Sequence, residues 1–101
     1  MEALGLLALL QARPGQEAVV EEFLKSAESL VQQEEGTIRW YAFKIGPSTF
    51  GIFDTFADEK GRAAHLSGEI AKTLLASAEE LLAIRPQIEM LQILASKPSG
   101  A

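Results

Sequence analysis

The sequence predicts an α+β fold whose elements run β-α-β-β-α-β. Three observations predict it. Apolar residues recur at helical spacing in two regions, each bracketed by runs of strand character. A Gly-Pro-Ser turn separates two aromatic-rich runs in the middle of the chain. The 101 residues, 48% apolar, suffice for a single domain over 1–101 with its own core over about 4–95.

Each element follows from its residues. Leu4 to Gln11, LGLLALLQ, is a continuous apolar run with the length of a strand buried on both faces. Arg13-Pro14-Gly15 breaks it. From Gln16, Val20, Phe23, Ala27, Leu30 and Val31 recur at three- and four-residue steps, with Glu21, Glu22, Lys25 and Glu28 between them. That is an amphipathic helix. Acids near its start suit the positive end of the dipole, and Gly36 supplies a stop. Thr37 to Ile45 is β-branched and aromatic, hence a strand. Thr49 to Phe56 is its hairpin partner across Gly46-Pro47-Ser48. Asp58 caps the next helix, with Glu59 in the first turn. That helix runs to about Ser67, where Gly68 interrupts it. A second piece, Glu69 to about Ile84, carries the stripe Ile70, Leu74, Ala78, Leu81 and Leu82, and Arg85-Pro86 ends it. Gln87 to Ala95 is the last strand, and Lys97 to Ala101 reads as a frayed tail. The order is that of the ferredoxin-like split βαβ arrangement, an antiparallel sheet with helices on one face.

Both faces of this sheet seek cover. The parity set Ile38, Trp40, Ala42 opposes Arg39, Tyr41, Phe43, and the first strand is apolar on both parities. A sheet wet on one side should alternate apolar with polar. Helices can cover only one face, so the other calls for a partner, and a second copy is the simplest. The sequence therefore predicts a homodimer through packed sheet faces.

Composition closes several function classes. A net charge of −5 without any Lys/Arg cluster opposes nucleic-acid binding and membrane-surface binding. Without cysteine there are no disulfides or thiolate ligands, and a single histidine makes a protein-built metal site an unfavoured expectation. The apolar run after Glu2 lacks the preceding Lys or Arg of a signal peptide. No stretch approaches the ~20 apolar residues of a membrane span. The expected location is cytoplasmic.

The segment from Thr49 to Leu66, TFGIFDTFADEKGRAAHL, concentrates the chemistry. His65 is the natural general base, because histidine titrates near neutral pH. Gly61, Ala64 and Gly68 share its helical face. Such small neighbours either leave room for a ligand or let the helix sit close with His65 hydrogen-bonded in a structural role. Asp54, among Ile52, Phe53 and Phe56, has three options: the wet end of its strand, an ion pair with Arg39 or Lys44, or a raised pKa and a role in orienting His65 or acting as base. Trp40, Tyr41, Phe43, Phe50, Phe53 and Phe56 crowd one hairpin. They serve as core and interface, with one or two lining a pocket. Arg39 either holds a phenolate or pairs with Glu34 or Glu35.

From Leu4 to about Ala95 the chain resembles the antibiotic biosynthesis monooxygenase-like family of dimeric α+β barrels. The landmarks are Pro14-Gly15, Glu35-Gly36, Ile38-Arg39-Trp40, and the string Phe50-x-Ile52-Phe53-Asp54-x-Phe56-x-Asp58-Glu59 followed by Ala64-His65-Leu66. The resemblance implies a dimer with a pocket between sheet and helices in each subunit. Some relatives oxygenate quinols or polycyclic phenols without metal, flavin or haem; others degrade haem or isomerise small metabolites. This chain departs from them in places. Gly68-Glu69-Ile70-Ala71 has no second histidine, Lys72 to Ala78 has no counterpart of a haem ligand, and the chain contains no asparagine. The resemblance implies a monooxygenase acting on a small aromatic or quinol with no cofactor and no metal. His65 and Asp54 are then the catalytic candidates. Trp40, Arg39, Tyr41 and Phe53 are the substrate-binding ones, Trp40 first because relatives often carry an aromatic there. The departures keep two alternatives open: a non-catalytic ligand-binding dimer of the same fold, and a small-metabolite isomerase.

Overall fold

A computed structural model describes residues 2–97, and the predicted tail beyond Lys97 lies outside them. The elements are β1 (Leu4–Gln11), α1 (Glu17–Val31), β2 (Thr37–Lys44), β3 (Thr49–Phe56), α2 (Glu59–Leu66), α3 (Glu69–Leu81) and β4 (Gln87–Gln92). The strands form one sheet in the order β2-β3-β1-β4, every pair antiparallel. This is the predicted ferredoxin-like order. It also explains why β1 is apolar throughout: it is a central strand flanked by β3 and β4, with no wet edge.

Register separates the two faces. Leu6, Leu10, Phe50, Ile52 and Phe56 point to the helices and are buried. Together with Val20, Leu24, Leu74 and Leu82 they form the core under α1 and α3. The opposite face carries Leu7, Leu9, Tyr41, Phe43 and Phe53. No described helix covers it. Tyr41 remains 52% exposed there, its ring stacked on that of Phe53 with centroids 6.4 Å apart.

The larger differences from the sequence reading fall at three boundaries. Helix α1 ends at Val31 rather than near Gly36, and Gln33 and Glu34 turn back with amide bonds to Leu30 and Val31 carbonyls. Helix α3 ends at Leu81 rather than Ile84, because the chain turns extended at Leu82 to pair with the end of β1: the Ala83 amide donates to Gln11 O, and the Arg13 amide to Leu81 O. Strand β4 stops at Gln92, opposite Leu4, where β1 begins.

Candidate functional site

The site is built where α2 crosses the sheet. Asp58 starts the helix as predicted, its carboxylate accepting from the Gly61 amide at 2.9 Å. With the start fixed two residues past β3, His65 comes down on β3's helix-facing side, its ring 5.5 Å from that of Phe56. Phe50, Ile52, Asp54 and Phe56 share that side. Asp54 is only 1% exposed, and its Oδ2 lies 2.8 Å from His65 Nε2. This is an ion-pair contact made off the direction of the ring N–H. Both Asp54 oxygens are buried without a directed hydrogen bond from any described residue.

The other ring nitrogen meets a residue from a distant part of the chain. His65 Nδ1 is 2.6 Å from Glu34 Oε1, which also accepts from Thr37 Oγ1 at 2.8 Å. Glu34 reaches this position because its loop docks tightly on α2. A Cβ on Gly36 would lie 2.8 Å from Gly61 Cα, and one on Gly61 would lie 2.8 Å from Gly36 O. Neither glycine has room for a side chain, so the pair sets how close Glu34 comes to His65.

His65 therefore sits between two carboxylates. Burial alone would lower its pKa. The contact with Asp54 and its charge, then those of Glu34, outweigh burial and raise it to about 9. At neutral pH the ring is an imidazolium, so in the resting site it is a held positive charge and a proton donor rather than a free base.

Two clefts flank this array. The larger, about 640 Å³, runs between α1 and β2 with Leu24, Val31, Trp40 and Phe50 among its walls. Its mouth includes Glu21, bridged to Lys25 at 3.1 Å and Lys44 at 3.3 Å. The smaller, about 270 Å³, lies over Gly36, Gly61, Ala64, His65 and Gly68. Glu34 and Thr37 line both. Among the described residues no group of three or more His, Cys, Asp or Glu is arranged to hold a metal ion.

The predicted site residues divide. His65 and Asp54 come together, and Trp40 stands opposite Asp54 in the β2–β3 register. Arg39 and Tyr41 border the large cleft, but their register turns their side chains to the open face. Phe53 lies on the open face and lines neither cleft. Two expected ion pairs are corrected. Arg39 reaches Glu2 at 3.5 Å, not Glu34 or Glu35. Asp54 pairs with His65, not with Arg39 or Lys44, because it faces the helices while Arg39 faces away and Lys44 is drawn to Glu21. Sequence reasoning missed Glu34. Its one local signal is that an acid just beyond the C-terminus of α1 faces the negative pole of that helix, an unfavourable place unless something else holds it.

No family model and no curated protein matches the sequence. Solved structures do. One, a protein of unknown function from Nitrosomonas europaea, is 53% identical over 99% of this chain and 98% of its own, with a TM-score of 0.94. The chain belongs to that protein's family. The fold of this family is antibiotic biosynthesis monooxygenase-like. A "putative antibiotic biosynthesis monooxygenase" from Caulobacter crescentus shares it at 18% identity over 93% of this chain and 92% of that one, TM-score 0.80. Another so named, from Nitrosomonas europaea, shares it at 14% identity over 92% and 91%, TM-score 0.81. In this chain no described helix is long and apolar enough to cross a membrane.

Proposed function

We propose that the protein is a cofactor-independent monooxygenase that oxidises a small hydroxyaromatic or quinol with O₂. The observation that carries the reading is the aromatic-walled cleft of about 640 Å³ beside the buried Asp54–His65–Glu34 array. Its size suits a ligand of a few fused rings. The names of the fold neighbours point the same way.

The chemistry asks little of a protein. An electron-rich phenol gives up its proton, and the resulting anion passes an electron to O₂. Recombination puts one oxygen atom on the ring carbon. Loss of water then leaves a carbonyl where that carbon carried hydrogen. The substrate is its own reductant, so one oxygen atom enters the product and the other leaves as water. The site must accept the first proton, stabilise the anion and exclude water. In this reading one carboxylate of the array accepts the proton. The His65 imidazolium, kept charged by the other, opposes the anion that forms, and Trp40 packs the ring. The working unit is a homodimer joined through the open sheet faces, which the apolar set Leu7, Leu9, Tyr41, Phe43 and Phe53 favours. Sedimentation at micromolar concentration then gives a dimer; a monomer there contradicts this.

A second reading has its own support. Both ring nitrogens of His65 are engaged, as expected of a structural clamp in a ligand-binding protein that has no turnover. Oxygen uptake separates the two. With metal-free protein and a panel of quinols and polycyclic phenols, uptake should exceed the protein-free rate and be lost in His65→Ala. Binding without uptake on any member of the panel would leave the second reading standing and remove the first.

A further inference from the structure

Of the three charged groups in the buried array, only one reaches the large cleft. Asp54 lines neither cleft and His65 only the small one, whereas Glu34 lines both, together with Thr37. Exposure follows the same order: the Asp54 side chain is 1% exposed, that of His65 9% and that of Glu34 20%. Whatever occupies the large cleft therefore meets the array at Glu34 and Thr37. These two are joined. Thr37 Oγ1 donates to Glu34 Oε1 at 2.8 Å, and the same oxygen lies 2.6 Å from His65 Nδ1. The other oxygen, Oε2, lies toward Gly68, where a Cβ would stand 3.5 Å from it, and Gly68 lines the small cleft. One carboxylate oxygen thus holds two partners, and the other is turned to the small cleft.

We propose that Thr37 Oγ1 receives a hydroxyl group of the ligand held in the α1–β2 cleft, and that Glu34 behind it takes the proton. The Thr37 hydroxyl has a single proton, and that proton is committed to Glu34. Toward a ligand it can act only as an acceptor. A phenol or an enol can donate to it; a carbonyl or an ether has no proton to give. This rests on the monooxygenase reading for the class of ligand and extends it by naming the carboxylate that accepts the proton and the hydroxyl that passes it on.

The arrangement also accounts for two carboxylates on one histidine. When the ligand O–H bond breaks, its proton passes to Thr37 Oγ1 as the Thr37 proton passes to Glu34 Oε1, and the electron pair stays on the ligand oxygen. Thr37 ends as it began. Glu34 is then neutral, yet Asp54, with Oδ2 at 2.8 Å from Nε2, still holds the imidazolium charged. Ligand and array together carry one net negative charge before and after the transfer, so no charge is created in the interior. Each carboxylate has its own task. Glu34 takes the proton, and Asp54, which lines neither cleft, is a positioning residue that keeps the ring positive.

Equilibrium binding in the absence of oxygen tests the contact, using α-naphthol and its methyl ether, measured by calorimetry near neutral pH. The wild type should prefer the naphthol by about fivefold, the fold-change expected of one hydrogen bond. Thr37→Val keeps the shape and removes the hydroxyl. It should lose the preference while binding the ether as the wild type does, which also shows that the variant is folded. Thr37→Ser should restore the preference. Equal affinity of the wild type for both probes overturns the proposal. So does a preference that survives Thr37→Val, or failure of both probes to bind. Oxygen uptake then tests the proton acceptor. Glu34→Gln should lower kcat by about a hundredfold or more, the scale of a lost general base, with KM near that of the wild type. Uptake undiminished in Glu34→Gln overturns the proposal and leaves the monooxygenase reading standing. A hydroxyl preference lost in Thr37→Val, in a wild type without uptake, keeps the Thr37 contact and removes the monooxygenase reading.

Discussion

Helix α2 drives two cations into the sheet one turn apart, and they are used differently. Arg62 and His65 are almost equally buried, at 7% and 8% exposed. Arg62 Nη1 donates to two backbone carbonyls, Gly5 O at 3.3 Å and Leu91 O at 3.1 Å, and Nη2 pairs with the solvent-exposed Glu59 at 2.7 Å. Its buried partners are main-chain oxygens of β1 and β4, and its only carboxylate partner, Glu59, stands in solvent. It ties a helix to a sheet. His65 meets two carboxylates, Asp54 from β3 and Glu34 from the loop after α1, and borders a cleft. Burial is therefore no guide to role. What distinguishes the pair is that the buried partners of Arg62 are main-chain carbonyls, whereas both partners of His65 are carboxylates held in the fold.

That contrast makes separable predictions. The largest concerns His65 and pH. A folded-state pKa of about 9 against an ordinary 6.5 means that the folded protein binds this proton more tightly than the unfolded chain. The stabilisation is fully present below about pH 6.5 and is lost as pH rises through about 9, on the order of 3 kcal/mol in all. Urea unfolding from pH 6 to pH 9.5 should show this fall in the wild type and a much flatter profile in His65→Gln. Equal slopes would mean that the carboxylates do not hold the ring charged. A somewhat smaller effect is expected for Arg62→Ala. It strips two buried carbonyls of a donor and should cost about 2 kcal/mol. That loss should be independent of pH over the same range. A pH-dependent loss would erase the distinction between the two cations.

The sequence disclosed the fold better than the site, for a physical reason. Strand β3 and the Asp58 cap are local: alternation, a turn and one capping carboxylate define them within a few residues. The mutual position of Asp54 and His65 was half legible, since both lie in one short segment and the cap sets the helix phase. Glu34 was not, because it meets His65 across 31 positions of sequence. Nothing in periodicity reports that Gly36 and Gly61 let the two segments touch. Arg39 failed for the opposite reason. Its parity was readable from the strand, but Glu2, its partner, lies in a segment without pattern. The ends of α3 and β4 were misjudged where the chain left its own period to pair with β1.

The claim on which the rest depends is that the only histidine is a charged imidazolium held between Asp54 and Glu34. Proton NMR measures this directly, since one histidine gives one Cε1–H signal. Followed against pH, that signal should titrate with a midpoint near 9. A midpoint at or below 6.5, the ordinary value, would show a neutral ring at physiological pH and contradict the account.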